Sequence, residues 1–255
     1  MAIFKNAIVK VPGATYINGL TSSNLGVPVL KEALKQHHAY VEALKTAGVE
    51  VTVLPENNDF PDSTFVEDTA VLTSDFAVIT NPGAKTRKGE TVEIEPVLRK
   101  FFKKIFRIES PGTLDGGDVL QVDNRFYIGI SDRTNLAGAE QLQRILESEN
   151  YQVTLVPLQT FLHLKTGITY IGNNTMAAAG EFIHHPVFQD YKKIIVPPEE
   201  EYAANCIRVN DYCIVPAGHP ITKKQIIEAG FQIIELQMSE FKKQDGGLSC
   251  LSLRF

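Results

Sequence analysis

The sequence has no tryptophan, only three cysteines and no long apolar run, and most of these scarcities exclude something. The cysteines (Cys206, Cys213 and Cys250) are odd in number and lack CxxC spacing, which argues against both a disulfide framework and a structural zinc site. No apolar stretch approaches the roughly 20 residues that a membrane span needs. Positive charge is not in excess either: Lys and Arg total 25 against 30 for Asp and Glu, a formal net charge of −5. Such a surface offers no electrostatic footprint for nucleic acid or anionic lipid. The N-terminal Met1-Ala-Ile-Phe-Lys-Asn-Ala-Ile-Val-Lys is too short and too interrupted for a secretion signal, so a cytoplasmic location is expected. What is present is an ordinary globular balance, 44% hydrophobic and 22% charged over 255 residues, long enough to bury a sizeable core.

The organisation comes from an internal repeat. Two β-rich runs joined by two turn-prone residues occur four times. They are Thr69-Ala-Val-Leu-Thr and Phe76-Ala-Val-Ile-Thr around Ser74-Asp75, then Asp118-Val-Leu-Gln-Val and Arg125-Phe-Tyr-Ile-Gly around Asp123-Asn124. Gly167-Ile-Thr-Tyr-Ile-Gly and Thr175-Met-Ala-Ala-Ala follow around Asn173-Asn174, and Cys206-Ile-Arg-Val and Tyr212-Cys-Ile-Val-Pro around Asn210-Asp211. The second turn residues, at 75, 124, 174 and 211, recur at steps of 49, 50 and 37. Each hairpin is expected to lead into a helical pattern and one more strand, a ββαβ unit, as with Leu142, Ile145 and Leu146 before Tyr151-Gln-Val-Thr-Leu-Val-Pro. The N-terminal copy offers Leu30, Leu34, Val41 and Leu44, a Gly48 stop and Val49-Glu-Val-Thr-Val-Leu-Pro. A fifth hairpin would be split, Gly247-Leu-Ser-Cys-Leu-Ser-Leu pairing with Lys5-Asn-Ala-Ile-Val-Lys-Val-Pro-Gly. Radial repetition closed by the two termini is a propeller pattern. The alternative is an open α/β sheet with incidental self-similarity.

The chemistry-bearing residues sit where each unit begins: Glu67-Asp68, Asp115-Gly-Gly-Asp118, His163, Ala204-Asn205, and Asp245-Gly-Gly-Leu-Ser-Cys250. In a ring, equivalent positions converge on the axis, so carboxylates, an imidazole and a thiol would share one pocket. Each has a plainer reading alone. Cys250 suits a small buried hydrophobe, but Gly246 and Gly247 let backbone approach a ligand closely. His163 beside apolar residues suits a satisfied core group, and as an acid or base it would need a thiol partner and an orienting carboxylate. Asp115-Gly-Gly-Asp118 suits a turn; as a calcium loop it lacks ligands at alternate positions. His184-His185-Pro reads as a loop and His37-His38 as helix surface.

These residues carry a resemblance. The chain resembles the dimethylarginine dimethylaminohydrolase family of the guanidine-modifying (amidinotransferase, or pentein) superfamily. The matching stretches are Pro61-Asp62 with Phe65-Val-Glu-Asp68, Pro82-Gly-Ala with Arg87, Pro111-Gly-Thr-Leu-Asp115-Gly-Gly-Asp118, Arg133-Thr-Asn135, Leu162-His163-Leu-Lys, and Asp245-Gly-Gly-Leu-Ser-Cys250. They span nearly the whole chain in order. The resemblance implies a five-bladed α/β propeller of ββαβ units, closed by the N- and C-terminal strands and forming a single catalytic domain over 1–255. It implies hydrolysis of free Nω-methylated arginine to citrulline and a methylamine, with no cofactor and no metal. Carried over, Cys250 would be the nucleophile, His163 the proton donor and later base, and Asp115 the carboxylate orienting His163. Glu67 and Asp68 would flank the guanidinium, and Arg87 and Arg133 would bind the α-carboxylate. Asp62 and the Leu20 carbonyl would lie near the α-amine, with Gln244 as a further backbone contact. A small-molecule partner, and a monomer or homodimer, are expected. The readings to set against this are a deiminase or another guanidine-modifying enzyme of the superfamily, and a non-catalytic propeller.

Overall fold

The computed structural model describes residues 3–255; Met1 and Ala2, the start of the N-terminal stretch read above, lie outside the described residues. Local sequence and pairing divide the chain into five similar sheets of three strands each. The terminal unit holds β1 (Asn6–Lys10), helix α1 (Leu30–Thr46) and β2 (Glu50–Leu54). The first complete unit holds β3 (Ala70–Leu72), β4 (Phe76–Ile79), α2 (Thr91–Leu98) and β5 (Lys104–Arg107). The second holds β6 (Val119–Val122), β7 (Arg125–Ile130), α3 (Leu136–Ser148) and β8 (Gln152–Pro157). The third opens with the single turn α4 (Leu164–Gly167) before β9 (Ile168–Gly172), β10 (Thr175–Ala178) and β11 (Lys192–Ile195). The fourth holds β12 (Ile207–Val209), β13 (Tyr212–Pro216), α5 (Pro220–Glu228) and β14 (Gln232–Leu236). The turn α6 (Ser239–Lys242) and β15 (Leu253–Arg254) end the chain.

In every sheet the middle strand pairs antiparallel with its hairpin partner and parallel with the strand after the crossover, as for β7 with β6 and β8. A parallel pair needs a long connection, and the helix supplies it. In α3, Asn135 caps the first turn by accepting from Gly138 N–H (2.8 Å), while Ala139, Leu142 and Leu146 are buried against the sheet. The third unit departs from the expected pattern. Between β10 and β11 the chain makes two short 3₁₀ turns, Gly180–Phe182 and Pro186–Phe188, in place of a helix. Gly180 at φ +49° and Pro186 interrupt any longer helical run.

The hairpin turns follow their chemistry unevenly. Asn173 and Asn174 both adopt positive φ, as do Asp123 and Asn210, but Ser74 and Asp75 do not. There Thr73 Oγ1 closes the loop instead, accepting from the N–H groups of Asp75 (3.2 Å) and Phe76 (3.0 Å). On α1, Leu34 is exposed and His37 is buried, the reverse of the sequence reading, because Ala33, His37, Tyr40 and Leu44 form the inward stripe. The split fifth hairpin exists: β1 runs antiparallel to β15, with Ala7 opposite Arg254 and Ile8 opposite Leu253. Its C-terminal strand starts later than expected, since Ser249–Leu251 is a 3₁₀ turn rather than strand.

Five apolar clusters close the ring. One joins the terminal unit to the first (Ile8, Leu253, Val66, Ile79), one the first to the second (Val78, Phe76, Phe126, Leu142), and one the second to the third (Tyr127, Val156, Met176, Phe182). A fourth joins the third unit to the fourth (Ala177, Ile194, Cys213, Ile226), and the last joins the fourth back to α1 (Ile214, Leu236, Tyr40, Leu44). The result is a five-unit α/β propeller. No helix among the described residues is long and apolar enough to cross a membrane.

Candidate active site

One short turn precedes the first strand of each complete unit and of the split one. These turns are Val66–Thr69, Gly116–Asp118, Leu164–Gly167, Pro198–Ala204 and Ser249–Leu251. They carry or adjoin the residues singled out at the unit entrances, and the ring brings them together. A cavity of about 230 Å³ is lined by His163 and Cys250 together with Leu20, Asp62, Asp68, Arg87, Arg133 and Gln244. Two expected residues do not line it. Asp115 lies behind His163 with no exposed surface, and Glu67 faces a second cavity of about 220 Å³.

The imidazole is held by acids. Asp115 Oδ2 lies 3.1 Å from His163 Nε2, and Oδ1 accepts from Gly83 N–H at 2.9 Å, which fixes the carboxylate. Asp68 Oδ1 accepts from Gly117 N–H (2.8 Å) and Oδ2 from Arg87 Nη1 (2.5 Å). A side chain at Gly117 would put its Cβ 2.9 Å from both Asp68 Oδ1 and His163 Nδ1, so only glycine lets the backbone pass between them. Asp118, from the same Asp-Gly-Gly-Asp stretch, accepts from Leu164 N–H (2.9 Å) and from Ser131 Oγ (2.6 Å). Burial alone would lower the His163 pKa, but the charges of Asp68, Asp118 and Asp115 outweigh it and raise it to about 9. Burial likewise works against the Asp68 carboxylate, yet His163 and Arg87 hold it down at about 2. The site therefore keeps a protonated imidazole at neutral pH.

The thiol is held the opposite way. Burial, then Glu67 and Asp68, push Cys250 up to about 12, against the Gly247 N–H that donates to Sγ at 3.4 Å. Its loop is closely packed: a Cβ on Gly246 would meet the Phe65 ring at 2.2 Å. Asp245, at φ +55°, accepts from Ser22 N–H (2.5 Å) and Ser22 Oγ (3.0 Å), tying the 20–23 segment to the Cys250 loop.

Several expected contacts are arranged differently. Glu67 turns away from the cleft because Lys165 Nζ (2.7 Å), Ser249 Oγ (2.8 Å) and Arg254 Nη2 (3.5 Å) hold it on the other side of the floor. Arg87 lines the cleft, but its guanidinium is already engaged by Asp68, by Glu90 Oε2 (2.8 Å) and by the Phe65 carbonyl (2.9 Å). Burial raises the Glu90 pKa to about 7 in spite of that arginine. Arg133, half-buried, has no ion pair among the described residues and faces the cleft with its charge available. Asp62 accepts from Leu20 N–H (2.9 Å); burial raises its pKa, while Arg87, that N–H and Arg133 pull it down. With its nitrogen turned to the main chain, Gln244 donates to the carbonyls of Gly19 (3.0 Å) and Leu20 (3.2 Å), so it shapes the Leu20 turn.

Asp68, Asp115 and His163 bring three possible metal-ligand atoms within 4.8 Å of one another. Protein groups already answer them, since Arg87 is paired with Asp68 and the imidazolium sits between the acids. The donor set fits an acid–base unit. The sequence reading gave no role to Glu90, Lys165, Ser249 or Phe65. Glu90 had no signal, whereas Phe65, Lys165, Ser249 and Asp118 all stood in the stretches singled out.

The comparisons with known proteins point to one family. A family model described as N,N dimethylarginine dimethylhydrolase, eukaryotic, matches residues 27–252. The chain is 49% identical to an N(G),N(G)-dimethylarginine dimethylaminohydrolase of Pseudomonas aeruginosa over 99% of this chain and all of that protein. A solved structure of the Pseudomonas aeruginosa enzyme, a cysteine-to-serine mutant complexed with citrulline, superposes with a TM-score of 0.99 at 49% identity over all of both chains. A histidine-to-glycine dimethylarginine dimethylaminohydrolase in adduct with S-methyl-L-thiocitrulline superposes with a TM-score of 0.98 at 49% identity, covering 99% of this chain and all of that one.

Proposed function

This chain belongs to the dimethylarginine dimethylaminohydrolase family, and on that footing we propose how its residues hydrolyse free Nω-methylated arginine to citrulline and a methylamine. The five units act as a single catalytic domain over 1–255, in the cytoplasm, on a small-molecule substrate, as a monomer or homodimer. The observation that carries the mechanism is His163, held by Asp115 at 3.1 Å, facing the same cleft as the Cys250 thiol.

A guanidinium carbon is a poor electrophile because its charge is delocalised, so the attacking group is a thiolate. In the free site the Cys250 thiol keeps its proton. The substrate's own cation, placed beside Sγ in a partly dry cleft, favours S⁻ by Coulomb attraction, offsets the acids that opposed it and lets the thiol proton pass to solvent. Attack forms the S–C bond and a tetrahedral adduct. His163 then protonates the methylated nitrogen, the C–N bond breaks and the amine leaves, giving a Cys250-bound thiouronium. The neutral imidazole next takes a proton from water, whose oxygen adds to the same carbon. Collapse breaks the S–C bond, releasing citrulline and returning the thiol.

Asp115 fixes the ring, and Asp68 supplies negative charge beside the guanidinium. Glu67 acts from beneath through its charge. At the amino-acid end, Arg133 takes the α-carboxylate; Arg87 supports it from behind Asp68. Asp62 and the Leu20 carbonyl hold the α-amine, on a turn shaped by Gln244. A free amino acid is therefore the substrate class. Intact-protein mass spectrometry of His163→Gly with S-methyl-L-thiocitrulline, whose thiolate leaving group needs no protonation, tests this. A thiouronium mass on Cys250 supports the assignment; its absence from a folded variant contradicts it.

A further inference from the structure

The mechanism above gives no part to Asn205, although it holds the entrance of the fourth unit, the place occupied by Glu67-Asp68, Asp115 and His163 in the units before it. Its side chain is buried and fully committed. Oδ1 accepts from the Ser249 N–H at 2.9 Å, and Nδ2 donates both to Ser249 Oγ (3.1 Å) and to the Lys165 carbonyl (3.0 Å). One amide thus grips the backbone and side chain of the residue next to Cys250, and the turn that starts at His163. The approach is close: a Cβ on Gly247 would lie 2.5 Å from Asn205 Cγ. Tyr202, three residues earlier, pins the same loop from its other end by donating to the Gly246 carbonyl at 2.8 Å.

The Cys250 thiol has little to hold it directly. Its hydrogen-bond contacts are Gly247 N–H at 3.4 Å and Ser249 Oγ at 4.0 Å, and sulfur is a weak partner in both. Its position is inherited from the chain beneath, and that chain is fixed at Ser249. Ser249 Oγ donates in turn to Glu67 Oε2 (2.8 Å), and Glu67 Oε1 accepts from Lys165 Nζ (2.7 Å), so the network returns to the residue whose carbonyl Asn205 holds. We propose that Asn205 is a positioning residue for this reaction, setting the nucleophile loop in register with the His163 turn through Ser249 and the Lys165 carbonyl. This rests on reading Cys250 as the nucleophile and His163 as the acid.

The test uses Asn205→Ala and the isosteric Asn205→Asp, which keeps an acceptor for Ser249 N–H but sets a carboxylate against Ser249 Oγ and the Lys165 carbonyl. Cys250→Ser is measured beside them. With asymmetric dimethylarginine, kcat per folded molecule should fall by roughly 10- to 100-fold, as misplacement by about 1 Å costs. KM should stay within about threefold, because no substrate contact is removed. In Asn205→Ala the pH midpoint for iodoacetamide alkylation of Cys250 should move down toward that of a free thiol, a readout that a purely structural role would leave alone. Should Asn205→Ala not fold, Asn205→Asp decides. Full kcat in the folded variants, or a loss matched by the unfolded fraction alone, overturns the proposal when Cys250→Ser is inactive. An active Cys250→Ser overturns the nucleophile reading beneath it.

Discussion

At the scale of single residues, the site separates groups that react from groups that hold. Cys250→Ser is nearly isosteric but replaces a thiol with a far less acidic alcohol. Turnover should drop by roughly 3 orders of magnitude or more, at least about 4 kcal/mol of barrier, with thermal unfolding little changed. Cys206 and Cys213, both buried in the fourth unit, should tolerate serine with activity retained. His163 must carry its proton to act as the proposed acid, so kcat should fall as pH rises through the imidazole pKa of the substrate complex. The substrate's cation draws that pKa below the value of about 9 in the free site, and a pH profile of kcat reads this limb. The two arginines should part company. Arg87→Ala leaves Asp68 and Glu90 buried without their cation and should cost about 3–5 kcal/mol of stability, read by denaturant melts. Arg133→Ala should leave stability alone and raise KM by roughly 10- to 100-fold, the worth of a lost charged hydrogen bond. From sequence the two looked equivalent, because the ion pairs that distinguish them come from residues 19 positions before Arg87 and three after it.

At the scale of elements, hairpins and turns were legible and helix faces less so. The Asn-rich turns announced themselves because Asn and Asp tolerate positive φ. The missing helix of the third unit was not foreseen, since the expected pattern was carried over from neighbouring units past Gly180 and Pro186. His37 was misplaced because histidine at one helical position gives no sign of which side packs inward; the neighbouring Ala33, Tyr40 and Leu44 decide it. Burial lowers its pKa to about 4, below the usual value near 6.5. The unfolded chain therefore takes up a proton that the folded one refuses, and stability from this group is full above about 6.5 and lost as pH falls toward 4. The shift corresponds to about 3 kcal/mol. His37→Leu should flatten the change in unfolding free energy between pH 7 and 4 by about that amount.

At the scale of the whole molecule, the repeat placed the site. Five entrances at a recurring step pointed to one axis, which is why Asp115, His163 and Cys250 were legible although 48 and 87 positions separate them in turn. Glu67 was legible as a site residue but not its direction, because Lys165, Ser249 and Arg254 come from three other stretches that only ring closure brings near. That closure depends on the last residues. The Phe255 carbonyl accepts from Lys5 and Asn6 N–H, and its ring packs against Phe101 and Phe102 with centroids 5.0 Å from each. Removing 253–255 should leave β1 paired with β2 alone, open the seam with the first unit and lower the cooperativity of unfolding. The central claim is that this cleft selects and hydrolyses a methylated guanidinium. Charge alone does not discriminate arginine from its methylated forms, whereas an apolar niche for methyl groups is worth about 1–3 kcal/mol. The most direct measurement is citrulline release by the wild-type protein from free asymmetric dimethylarginine and from arginine, compared as kcat/KM. The methylated substrate should be favoured by at least about tenfold, and equal or faster turnover of arginine would contradict the account.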